Sequence, residues 1–124
     1  DFDILGHFDY TTRYSPYLNK SLTMREYGEY LDPILRRLAQ SGKALEINTN
    51  TYRARNGASP VLDTAVIRHF RQIGGELITL GSDAHDSQRV GEGLEEAARL
   101  LISEGFRYTA YFEERRALLV PLAI

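Results

Sequence analysis

The chain has 124 residues, 43% of them hydrophobic and 26% charged, with 15 basic side chains nearly balanced by 17 acidic ones for a formal net charge of -2. That length suits one small domain, which buries about two thirds of the surface its unfolded chain exposes, and the composition excludes disorder and collagen-like repeats. No apolar run approaches the ~20 residues that cross a bilayer, no signal-peptide pattern is present and the basic residues form no stripe, so neither a membrane nor a nucleic acid is an expected partner.

The chain contains no Cys. A disulfide framework and thiolate ligands are therefore excluded, any metal must be held by His, carboxylate or backbone oxygen, and a reducing cytoplasm is the expected compartment. The opening Asp-Phe-Asp-Ile-Leu-Gly-His reads as the middle of a strand, which suggests a piece of a longer chain.

In chain order, residues 1 to 6 read as a short buried strand whose end delivers His7. Residues 10 to 23 read as loop. Thr23 then fits an N-cap, with Glu26 three residues later in a capping-box pattern, and Tyr27, Tyr30, Leu31, Ile34, Leu35 and Leu38 form an apolar stripe at helical spacing that stops near Ser41-Gly42. Ala44 to Asn48 is the next strand, followed by a long polar loop from Thr49 to Ser59. Pro60 is expected to open a second helix, with Leu62, Val66, Ile67, Phe70 and Ile73 buried and Gly74-Gly75 at its end. Leu77 to Leu80 reads as a third strand running into Gly-Ser-Asp-Ala-His at 81 to 85. A third helix is expected from about Val90 to Glu104, with Asp86 or Ser87 as alternative caps, Leu94, Ala97, Ala98, Leu101 and Ile102 inside, and Gly105 as its C-cap. Residues 106 to 112 and 117 to 121 read as two further strands around a charged run.

Strands alternating with helices argue for βα units and a parallel sheet, open or closed into a barrel. The fold class is α/β. In such folds ligands bind at the carboxyl ends of the strands, where loops from several strands converge.

Three candidate ligands follow predicted strands. Asp83-Ala84-His85 reads as an extended strand end, on which residues two apart point to one side, so a carboxylate and an imidazole could converge on one ion. Taken alone Asp-x-His is weak, because both residue types also begin loops and cap helices. His7 strengthens it, since it too follows a strand and a Gly, whereas His69 lies inside a predicted helix. His7, Asp83 and His85 form a mixed nitrogen and oxygen set suited to Zn, Mn or Fe.

Glu46 stands at the centre of an apolar strand, where an unpaired carboxylate is expensive to bury. It either faces a site or lies on an edge strand facing water, and Asn48 shares its face. Arg53, with Arg55, Arg13 and Arg89 as rivals, could bind a phosphate bidentately, the alternative being a solvated surface charge. Tyr10, Tyr14, Tyr17 and Tyr52 either line a pocket or pack on the sheet end. The sequence has no Gly-x-x-x-x-Gly-Lys loop, no Gly-x-Ser-x-Gly elbow and no Cys nucleophile, so metal-activated water is the better candidate nucleophile.

The runs Asp-Ile-Leu-Gly-His-Phe-Asp (3 to 9), Leu-Glu-Ile-Asn-Thr-Asn (45 to 50) and Gly-Gly-Glu-Leu-Ile-Thr-Leu-Gly-Ser-Asp-Ala-His (74 to 85) are in matching order and spacing. Together with the tail from Tyr111 to Leu122, they resemble the C-terminal half of histidinol-phosphate phosphatases of the polymerase-and-histidinol-phosphatase (PHP) family. The resemblance covers nearly the whole chain. It implies that residues 1–124 are the C-terminal half of a PHP phosphoesterase domain, part of a distorted (β/α)7 barrel that is incomplete in this chain. It further implies hydrolysis of a small phosphorylated substrate, histidinol phosphate to histidinol and phosphate in histidine biosynthesis, with two or three divalent ions in the complete domain.

The same resemblance makes His7, Asp83 and His85 metal ligands and Arg53 a phosphate-binding residue. Asp9, Glu46 and Asn48 become groups behind the ligands or in contact with substrate. The family's N-terminal half, with His-x-His and further ligands, is not in this sequence. The chain alone is therefore expected to be inactive or weakly metal-binding unless the missing half, or a second copy, joins it. Two alternatives stand beside this: a related phosphoesterase acting on a nucleotide or sugar phosphate, and a non-catalytic interaction module.

Overall fold

The computed structural model describes residues 1–53 and 60–123. Its regular elements are β1 (Ile4–Leu5), α1 (Met24–Gln40), β2 (Ala44–Asn48), α2 (Thr64–Gln72), β3 (Ile78–Gly81), α3 (Leu94–Ser103), β4 (Tyr108–Glu113) and β5 (Arg116–Pro121). The strand-helix alternation read from the sequence is present, with helix starts that differ in instructive ways.

Thr23 caps α1, its hydroxyl oxygen accepting from the Glu26 amide at 3.2 Å while the hydroxyl donates to the Glu26 carboxylate, so Thr23 and Glu26 do meet. Of the predicted stripe Leu31, Leu35 and Leu38 are buried, on the helix face that meets the core, and Tyr27, four residues before Leu31, packs partly buried against the same core. Tyr30 and Ile34, one residue round the helix, remain 66% and 48% exposed.

The second helix begins four residues after Pro60, at Thr64. Asp63 is the reason: its Oδ1 accepts from the Ala65 amide at 3.0 Å, and its Oδ2 accepts from Met24 N at 2.8 Å. One carboxylate thus serves the first turns of α1 and α2 together, satisfying orphan N–H groups on both. α3 begins at Leu94 rather than Val90 because Gly91 and Gly93 have φ of +82° and +78°, which a right-handed helix cannot contain. Asp86 caps a single 3-10 turn, Ser87–Arg89, accepting from Gln88 N at 2.7 Å, and does not cap α3.

β1, β2 and β3 form a parallel sheet in the order β1-β2-β3, with Leu5 opposite Leu45 and Leu45 opposite Ile78. Leu45, Ile47 and Ile78 join Leu35, Val66, Ile67, Phe70 and Leu101 from the three helices in one core cluster. By register and alternation the other face of the sheet carries Glu46, Asn48, Thr79 and Gly81. The sheet therefore has an apolar face covered by helices and a polar face whose residues lead into the strand ends.

β4 and β5 form an antiparallel hairpin closed at Glu113↔Arg116, and Glu114 and Arg115 have φ of +49° and +65°. Positive φ at both central residues is the twist that joins two strands by the shortest loop, so the charged run is the hairpin turn. Thr109 Oγ1 donates to the Ile78 carbonyl at 3.0 Å, and Arg115 reaches Asp3 at 3.1 Å, tying the hairpin to the sheet. Among the described residues no helix is long and apolar enough to cross a membrane.

Candidate metal and phosphate site at the strand ends

The three parallel strands end side by side, and the segments leaving them bring His7, Asn48 and Asp83 together. Asn48 is the last residue of β2 and is 2% exposed. Its amide nitrogen lies 2.9 Å from His7 Nδ1 and 3.3 Å from Asp83 Oδ2, donating to both. The Asn48 amide thus holds an imidazole and a carboxylate side by side, a nitrogen and an oxygen donor of the kind that suits a divalent cation.

His7 and Asp83 both have positive φ, +52° and +46°. His and Asp tolerate this region better than most side chains, but such strain costs roughly 1 kcal/mol or more and tends to persist where surrounding contacts enforce it. For Asp83 it also changes the route by which His85 arrives. β3 ends at Gly81, and the left-handed Asp83 turns the chain, so the extended-strand argument for pairing the two side chains does not apply. His85 instead folds back, with Nδ1 2.9 Å from the Asp83 carbonyl and 3.9 Å from Asp83 Oδ1, and its side chain is 79% exposed. Among the described residues no three His, Asp or Glu side chains are grouped closely enough to hold an ion between them.

Burial is the largest single influence on the Asp83 carboxyl and pushes its pKa up. Hydrogen bonds from Asn48 and Asn50, then the nearby His85 and His7, outweigh it, and the net pKa lies below the ordinary 3.8. The group is an anion at neutral pH, as a ligand must be. Asp9, 3% exposed, is the opposite case: burial dominates and raises its pKa, with the hydrogen bond donated by the Tyr52 hydroxyl opposing.

Glu46 lies in the central strand, which removes the edge-strand alternative. Its carboxylate sits between Gly6 and Gly81, where a side-chain carbon would come within 3.6 Å and 3.3 Å of its oxygens, and Oε1 is buried without a hydrogen-bond partner among the described residues. The flanking glycines make room for that charge below the His7 and Asp83 turns. Asn48 Oδ1 and Asp9 Oδ1 are likewise buried without a partner, and such orphaned acceptors near a functional centre point to a group yet to be bound.

His7, Asn48 and Asp83 line a cavity of about 20 Å³ with Tyr10, Arg13 and Asn50. Arg13 lies over the Tyr10 ring, 5.9 Å from its centre, and Tyr10 meets the His7 ring edge-on at 5.7 Å. Of the arginines weighed from sequence that lie among the described residues, Arg13 is the one that borders the cluster. Arg53 lines a neighbouring cavity of about 460 Å³ that shares Asn50. Arg89 is engaged by Glu92 at 2.9 Å and Asp86 at 3.6 Å, and Arg55 lies outside the described residues. Among the tyrosines, Tyr10 lines the site, Tyr52 bonds Asp9, and Tyr14 and Tyr17 are exposed. Asn50, two residues beyond Asn48, is a site residue the sequence reading did not single out; the repeated Asn at strand end and turn was the available signal.

A parallel α/β unit with nitrogen and oxygen ligands converging at its strand ends belongs to the class of α/β proteins that bind ligands there. No family model matches the chain. The chain is 38% identical over 112 residues to the histidinol-phosphatase of Lactococcus lactis subsp. lactis, a match covering 90% of this chain and 41% of that protein. It is 35% identical over 109 residues to the probable histidinol-phosphatase of Thermotoga maritima, covering 88% of this chain and 44% of the relative. Among solved structures it resembles the crystal structure of histidinol phosphate phosphatase from Lactococcus lactis complexed with zinc, L-histidinol and phosphate. The TM-score is 0.76 at 33% identity, over 95% of this chain and 44% of the other. The chain is thus a homologue of histidinol-phosphatases over nearly its whole length, consistent with the PHP family. It spans less than half the length of the relatives it matches.

Proposed function

We propose that this chain provides part of the active centre of a metal-dependent phosphomonoesterase that hydrolyses histidinol phosphate to histidinol and phosphate. The observation that carries the reading is the Asn48 amide held between His7 Nδ1 and Asp83 Oδ2 in a cavity bordered by Arg13. A similar solved structure is complexed with zinc, L-histidinol and phosphate.

His7, Asp83 and His85 would hold a divalent ion, zinc first and Mn or Fe as alternatives on the same donor set. Such an ion supplies Lewis acidity and lowers the pKa of water toward neutrality. The chain's own residues supply the rest. Arg13, with Arg53 across Asn50, presents planar N–H donors suited to phosphoryl oxygens. Asn48 orients His7 and Asp83 from behind. Glu46 and Asp9 place carboxyl groups beneath them, behind the side chains that would hold the ion. The two or three ions of a complete domain need ligands from outside these residues.

In the same reading, residues 1–124 are the C-terminal half of a PHP domain with a (β/α)7 barrel. Two surfaces suit the missing strands or a second copy: the outer edge of β1, unpaired among the described residues, and the exposed Leu118, Leu119 and Val120 of β5. The enzyme would work in the cytoplasm. Phosphate release from histidinol phosphate, a sugar phosphate and a nucleoside monophosphate, with zinc, tests both activity and substrate. Turnover of histidinol phosphate is expected when the remaining length of a relative is supplied as a second polypeptide, and its loss is expected with Asp83→Ala. A rate unchanged by that substitution, or a preference for another ester, would contradict the proposal.

A further inference from the structure

We propose that Tyr52 is a positioning residue for His7, acting through Asp9; the inference rests on the reading of His7 as a ligand. Tyr52 ends the 3-10 turn Thr49–Tyr52 that follows β2, while Asp9 precedes the turn Tyr10–Tyr14 that follows β1. The Tyr52 hydroxyl donates to Asp9 Oδ2 and so joins the two segments from which Asn48 and His7 reach the site.

The geometry gives this bond more than a packing role. Asp9 is 3% exposed and its Oδ1 has no hydrogen-bond partner among the described residues, so the Tyr52 hydroxyl is the side-chain donor that ties the carboxyl to the segment after β2. Asp9 is two residues from His7, and the intervening turn is short and closed: Tyr10 N donates to the His7 carbonyl at 2.9 Å and Thr12 N donates to the Asp9 carbonyl at 3.0 Å. His7 itself is held at φ +52°, a conformation the chain leaves when its supports are removed. Tyr52 is also partly buried against the core, which anchors the donor end. Asn48 grips the His7 ring from one side, and the Tyr52–Asp9 bond fixes the backbone that carries the ring. Groups that orient a ligand in this way typically change metal affinity about 10- to 100-fold when removed.

The test compares Tyr52→Phe with Tyr30→Phe, an exposed tyrosine on α1, in the 124-residue chain. Imidazole resonances of His7 and His69 are read by NMR without metal, together with amide exchange at Tyr10 and Thr12, the thermal midpoint, and zinc affinity. Tyr52→Phe is expected to shift the His7 resonances, speed exchange at both amides by about tenfold and weaken zinc by about tenfold or more. His69 should stay where it is, the midpoint should fall modestly because a buried carboxyl loses its donor, and Tyr30→Phe should change none of these. Unmoved His7 resonances would overturn the proposal, and so would His7 and His69 shifting together. Should Tyr52→Phe not fold, Asp9→Asn keeps an acceptor for the hydroxyl and should leave His7 in place, while Asp9→Ala should displace it. A wild-type His7 spectrum in Asp9→Ala would then overturn the proposal. Failure of the wild-type chain to bind zinc would count against the metal reading, while the metal-free His7 spectra still decide the role of Tyr52.

Discussion

Asn48 holds an acceptor on either side, His7 Nδ1 and Asp83 Oδ2, and its burial prevents water from replacing them. Converting it to a carboxylate reverses the sign of the interaction. Asn48→Asp puts a second anion beside Asp83, which destabilises the metal-free chain and favours a cation between the two. We expect a lower thermal midpoint without metal and a zinc-induced rise larger than in the wild type, read by unfolding with and without zinc, because a ligand that binds the folded state stabilises it by mass action. Glu46 and Asn48 could be placed from the sequence because period-two alternation on β2 fixes their shared face, and His7 could be placed because it follows a strand and a glycine. The approach of His85 was not legible. It depends on the left-handed turn at Asp83, and nothing in Gly-Ser-Asp-Ala-His announces φ of +46°. The choice between Arg13 and Arg53 depends on how two loops lie over the sheet, which local pattern does not encode.

At the scale of elements, helix interiors and the start of α1 at Thr23 were legible, and the starts of α2 and α3 were not. Leu31, Leu35 and Leu38 of α1 and Val66, Ile67 and Phe70 of α2 are buried at positions the spacing had marked, whereas the true start of α2 rests on a carboxylate shared with a helix 39 residues away in sequence. Because Asp63 caps two helices, Asp63→Ala should cost more than one cap, about 2 kcal/mol where a single N-cap is worth about 1, measured by urea unfolding. A second tie joins the same helices: Asp32 on α1 accepts from Arg36 at 2.9 Å and meets His69 of α2 at 2.5 Å. The hydrogen bond from Arg36, then that from His69, holds the Asp32 carboxyl below its ordinary 3.8. A depressed folded-state pKa gives stability that is present above the unfolded value and lost as pH falls through the folded one. Asp32→Asn should therefore flatten the fall in urea midpoint below about pH 4.

For the molecule as a whole, the α/β class was legible because strands and helices alternate, and the parallel sheet follows from that alternation. The hairpin of β4 and β5 was visible as two strands but not as a pair, since its turn uses Glu114 and Arg115 at positive φ where Asn or Gly would have signalled it. The proposed site lies at the carboxyl ends of the three strands, with His7 and Asp83 side by side, His85 nearby and buried oxygens beneath them that have no partner among the described residues. Its donors are those proposed for a metal centre, and among the described residues they are fewer than a closed one requires. Equilibrium dialysis of the 124-residue chain and its Asp83→Ala variant against zinc, read by elemental analysis, tests this most directly. The wild type is expected to retain zinc weakly, and Asp83→Ala to hold about tenfold less or lower still. Equal zinc in the two proteins, or none in either, would contradict the assignment of this cluster as a metal site.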